Sequence, residues 1–133
     1  MDTISRGLFV ILTTMAATLF SAQQANAQQD RRIIRLAKIQ VDPAQLDSYN
    51  AALKEQMAAA ISVEPGVLTY YAVAEKSNPS HITILEIYRD TVAYQSHIQT
   101  AHFKKYKATV QNMVKALELV DVNLIGVAKK PDM

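Results

Sequence analysis

Residues 81–88, HITILEIY, carry apolar side chains on both faces of an extended segment: Ile82 and Ile84 on one, Leu85 and Ile87 on the other. A strand covered by helices on one side only alternates apolar and polar residues. This one does not, so its second face needs a cover as well. The turn cluster Lys76-Ser77-Asn78-Pro79-Ser80 precedes it, and Val67–Ala74 before that reads as another strand. The two are expected to form a hairpin. Ile33–Val41 is a third strand, with Ile33, Ala37, Ile39 and Val41 on one face and Ile34 and Leu36 on the other.

Between the strands, caps and periodicity mark helices. Asp42-Pro43 offers an N-cap and a proline at the first helical position. Leu46, Tyr49, Leu53, Met57 and Ala60 then form one apolar stripe, which Pro65-Gly66 terminates. Asp90 caps a helix from Thr91, and Thr100 caps another. Phe103, Tyr106, Val110, Met113, Val114 and Leu117 hold one face of that helix to about Leu117. Leu119–Val127 is the expected last strand. The order is β-α-β-β-α-β with the second helix in two pieces, which defines an α+β, ferredoxin-like arrangement: an antiparallel sheet with helices on one face. The doubly apolar strand at 81–88 predicts that a second copy covers the other face.

Residues 1–27 stand apart from this pattern. Leu8–Phe20 is an uncharged apolar run, and Ala25-Asn26-Ala27 is an A-x-A cleavage pattern, the layout of a signal peptide. The run is too short to span a bilayer, which takes about 20 residues. The expected organisation is a signal peptide at 1–27, a flexible leader at 28–32, one domain at 33–127 and a polar tail at 128–133. The mature protein is then periplasmic or secreted, without a stable membrane anchor. With no cysteine, packing or association must stabilise it. A formal charge of +2 gives no reason to expect nucleic acid. There is no P-loop, no G-x-G-x-x-G, no G-x-S-x-G and no thiol nucleophile.

Chemistry concentrates in residues 84–106. His97 is the candidate base, because a neutral imidazole accepts a proton from a phenol or enol at neutral pH. A buried histidine that fixes its helix is the competing role. Glu86 shares a strand face with Ile82 and Ile84, where a carboxyl has a raised pKa unless it is paired. It is a candidate proton carrier or orienter of His97, or else a structural acceptor. Tyr70, Tyr94, Phe103 and Tyr106 are candidate walls of a pocket for a flat substrate. Tyr70 and Tyr71 point to opposite sides of their strand. His102 follows His97 by five positions, a divergence of about 140° on a continuous helix. No shared metal is expected of them, and no metal site elsewhere.

Glu86-Ile87-Tyr88, Arg89-Asp90, Tyr94-Gln95-Ser96-His97 and Ala101-His102-Phe103 follow one another as strand end, turn and helix. With Glu64-Pro65-Gly66-Val67 upstream, this resembles the antibiotic biosynthesis monooxygenase family over roughly Ile33 to Val127. The resemblance implies a homodimeric α+β barrel that oxygenates electron-rich aromatics, such as quinols, without metal or flavin. It also places His97 on the family's helix histidine. The chain has no tryptophan, which several members use in their pockets, so haem degradation is not expected. Two functions follow as expectations. One is a cofactor-independent monooxygenase acting on a quinol-like or polyphenolic compound. The other is a non-catalytic dimeric module binding a small hydrophobic ligand.

Overall fold

The computed structural model describes residues 31–132; the expected signal peptide and most of the leader lie outside the described residues. Strand β1 spans Ile33–Val41. A short 3-10 turn, Pro43–Gln45, leads into helix α1, Leu46–Val63. Strands β2, Val67–Ala74, and β3, His81–Tyr88, follow as the expected hairpin. Helices α2, Thr91–His97, and α3, Ala101–Val110, precede strand β4, Val114–Asp121. The sheet order is β2-β3-β1-β4, every pair antiparallel, which is the ferredoxin-like topology. Among the described residues no helix is long and apolar enough to cross a membrane.

The caps form as the sequence leads one to expect. Asp42 accepts from the Ala44 N–H, Asp90 from Ala93 and Thr100 from Phe103. The core lies between sheet and helices and joins Ala37, Ile39 and Val41 of β1, Tyr49 and Leu53 of α1, Ile82 and Ile84 of β3, and Val110 of α3.

The last strand is not where the pattern placed it. Helix α3 stops at Val110 rather than near Leu117, and β4 begins at Val114 rather than Leu119 and ends at Asp121 rather than Val127. Met113-Val-Lys-Ala-Leu-Glu-Leu119 is rich in good helix formers and has neither glycine nor proline to stop a helix. Pairing with β1 overrides that local preference, from Val41 opposite Val114 to Arg35 opposite Asp121. The turn is fixed where the Met113 N–H donates to Val110 O and the Met113 carbonyl accepts from Asp42, each at 2.8 Å.

Gly66 sets how closely α2 approaches the start of β2. A Cβ at this position would collide with the Cβ of Ala93, whose own backbone lies just behind it. Gly66→Ala therefore forces α2 outward, and overpacking of this kind costs about 1–3 kcal/mol. Urea unfolding of the variant should show a lower midpoint at unchanged slope.

Candidate active site between sheet and helices

A cavity of about 330 Å³ opens between the helix-covered sheet face and the helices. Its floor is apolar, with Ala37, Ile39 and Ile84 from the central strands and Leu117 and Leu119 from β4. Tyr70, Tyr94, Phe103 and Tyr106, the four expected wall residues, all line it, whereas Tyr71 lies on the other sheet face and is exposed. Five polar side chains besides the tyrosines enter the lining: Arg35, Gln56, Glu86, Lys107 and Gln111. This volume and this balance suit one small, flat molecule.

Glu86 reaches the cavity because residues 82, 84 and 86 share the helix-facing side of β3. Burial raises its pKa above the ordinary 4.5, opposed by the Tyr88 hydroxyl and by the charges of Arg35 and Lys107. The Tyr88 O–H donates to Glu86 Oε2 at 2.9 Å. Arg35 has partners of its own: its Nε donates to Asp121 at 2.8 Å, and its guanidinium lies 4.6 Å from the centre of the Tyr94 ring.

His97 is fully buried, and its ring lies behind the cavity wall rather than on it. Both nitrogens are engaged by side chains. Nδ1 is 2.8 Å from Glu64 Oε2, and Nε2 is 2.9 Å from the Tyr70 hydroxyl and 3.3 Å from Gln56 Nε2. Gln56 offers an N–H and Glu64 an acceptor, so the neutral ring carries its proton on Nδ1 and its lone pair on Nε2. Burial lowers the pKa of His97 below 6.5, with the bond to Glu64 opposing. Glu86 does not orient this ring directly. Tyr88 and Tyr70 stand between them, their hydroxyls 2.8 Å apart.

The expected divergence of His97 and His102 fails because the helix is broken. Residues 98–100 turn the chain between α2 and α3, and both rings converge on Glu64, His102 Nε2 at 2.6 Å from the same Oε2. Three potential metal donors thus lie within 4.8 Å of one another. At these N···O separations, metal–ligand bonds of about 2.05 Å would close the angle at a metal to about 80°, far below tetrahedral. The cluster fits a carboxylate shared by two imidazole N–H donors.

Glu64 and Tyr88 were not singled out for a role in the sequence. For Glu64 a signal existed: it follows the last turn of α1, where the helix dipole disfavours a negative charge. An acidic residue there calls for a cationic or N–H partner.

The antibiotic biosynthesis monooxygenase family model matches residues 32–109, and the chain belongs to that family. A provisionally named antibiotic biosynthesis monooxygenase from Bacteriodes thetaiotaomicron is 50% identical, with a TM-score of 0.74, over 77% of this chain and 99% of that one. A provisionally named monooxygenase from Lactobacillus acidophilus is 29% identical, TM-score 0.67, over 68% of this chain and 43% of that one. A conserved protein from Methanosarcina mazei is 26% identical, TM-score 0.65, over 73% and 96%. No curated protein matches the chain.

The lowered pKa of His97 has a pH signature. The unfolded chain takes up a proton near pH 6.5 where the folded protein resists it, so stability contributed by the neutral ring is lost as pH falls through that range. Wild type should lose more urea stability between pH 7.5 and 5.5 than His97→Gln, in which this group is gone. Equal losses would show that His97 titrates alike in both states.

Proposed function

We propose that this family member is an exported, homodimeric oxygenase whose cavity takes a small phenolic or quinol-like molecule. The observation that carries the reading is the Glu86 carboxyl group, the one acidic side chain on a mostly apolar and aromatic cavity wall. A phenol is a poor electron donor to oxygen, and its phenolate is a good one. A carboxylate whose pKa is raised by burial is a stronger base than an ordinary one, which suits it to take the hydroxyl proton. Arg35 and Lys107 on the same wall favour the resulting anion. The reaction balances without an external reductant. A phenol with a free ring position and one O₂ give a quinone and water, one oxygen atom entering the ring and the other leaving as water. All four electrons come from the substrate.

Glu86→Gln should then lower turnover about 10²–10⁴-fold, the usual worth of a positioned proton acceptor, while a bound phenol keeps its affinity within a few-fold. Oxygen uptake against a panel of phenols and quinols measures it. Tight binding with no oxygen uptake by wild type would instead favour the ligand-binding module, a reading to which the full engagement of His97 also lends support.

The homodimer is supported by the sheet face away from the helices. Tyr71 and Val73 are 52% and 63% exposed there, and in the tail after β4 Ile125 and Val127 are exposed as well. A second copy set against this face would cover apolar surface that soluble monomers rarely leave bare. Sedimentation at micromolar concentration should give twice the chain mass, and a stable monomer would exclude the arrangement. Export rests on residues 1–27, and intact-mass analysis of the exported protein should find Gln28 first.

A further inference from the structure

Five hydrogen bonds run without a gap from the cavity to the edge of the helices: Glu86–Tyr88, Tyr88–Tyr70, Tyr70–His97, His97–Glu64 and Glu64–His102. One end, Glu86, lines the cavity. At the other end the His102 side chain is 20% exposed. Every link between these ends is an O–H, N–H, lone pair or carboxylate, so a proton has a continuous path.

Each hydrogen bond holds one proton, and counting them is informative. His102 supplies the proton of the bond to Glu64. Tyr88, Tyr70 and a neutral His97 supply three for the remaining four bonds. The chain is complete only with one more. That proton sits on Glu86, with each hydroxyl turned toward His97, or on His97 as imidazolium, with each hydroxyl turned toward Glu86. The ends are therefore coupled: the two tyrosines reverse together as the proton changes sides. Burial disfavours charge at both ends, and the Gln56 N–H favours a lone pair on Nε2.

We propose that this chain is the proton outlet of the site, with the His97–Glu64 pair as the base that acts through Tyr70, Tyr88 and Glu86. The proposal rests on the oxygenase reading of the cavity and adds positioning residues to it. As the substrate O–H gives its proton to Glu86, the Glu86 proton passes to Tyr88, that of Tyr88 to Tyr70, and that of Tyr70 to His97 Nε2. The products are a phenolate in the cavity and an imidazolium against the Glu64 carboxylate. The proton then leaves through Glu64, beside His102, to solvent. His97 thus receives the substrate's proton equivalent without touching the substrate.

The groups facing the two ends define the test. His97 is faced by Gln56 and Glu64 from α1 and its end, Tyr70 from β2, Tyr88 from β3 and His102 from α3. Glu86 feels Arg35 from β1, Lys107 and Tyr106 from α3, and Tyr49 from α1. The titration of His97 is followed by nitrogen NMR of histidine-labelled protein, with no substrate present. Glu86→Gln should lower the His97 midpoint by about one pH unit or more in the wild-type background, as coupled sites do. In a Tyr70→Phe background, which removes only the linking hydroxyl, the same change should produce less than about a third of that shift. Tyr88→Phe breaks the chain one bond nearer Glu86 and should act alike. An equal shift in all three backgrounds would mean a field through space and would overturn the relay, as would no shift in any. The titration does not depend on what the cavity binds. An absence of oxygen uptake would strike the oxygenase reading and leave this result as it stands.

Discussion

One carboxylate, that of Glu64, holds together parts of the chain that would otherwise have no reason to meet. It stands just past the end of α1, and a single oxygen accepts from His97, the last residue of α2, and His102 in the first turn of α3. The helix dipole makes this a poor place for a negative charge, and two imidazole donors offset that cost. Without them an acid in this position would favour water. With them it closes the break between α2 and α3 onto α1, and leaves the far nitrogen of His97 aimed at Tyr70.

From that anchor the site follows as a series of constraints. Tyr70 must be the inward tyrosine of β2 for its hydroxyl to reach both His97 and Tyr88. Tyr88 must end β3 on the face that carries Glu86 for the next bond to form. Burial makes each of these phenols harder to ionise, so each remains a donor that can turn rather than an acid that is lost. Among the described residues no buried side-chain nitrogen or oxygen lacks a partner, as expected of a polar network laid through a core.

Much of this architecture was legible in the sequence, and the reasons for what was not are physical. Strands β1 to β3 and the caps Asp42, Asp90 and Thr100 could be read because local chemistry and tertiary packing agree there. Strand β4 could not, because residues 113–119 prefer a helix and only pairing with β1 makes them a strand. The four aromatic walls were legible from their helical and strand faces. The convergence of His97 and His102 was not, since five-residue spacing separates two rings on a straight helix and says nothing across a break. The role of Glu64 lay further out of reach, as it comes from partners 33 and 38 positions away.

The central claim is that a single shared proton completes an unbroken chain from Glu86 to Glu64. Neutron diffraction from deuterated crystals of the ligand-free protein reads it directly. The account predicts one deuteron in each bond from Glu86 to His102. A deuteron missing between Tyr88 and Tyr70, or a neutral His97 bearing its deuteron on Nε2, would contradict it.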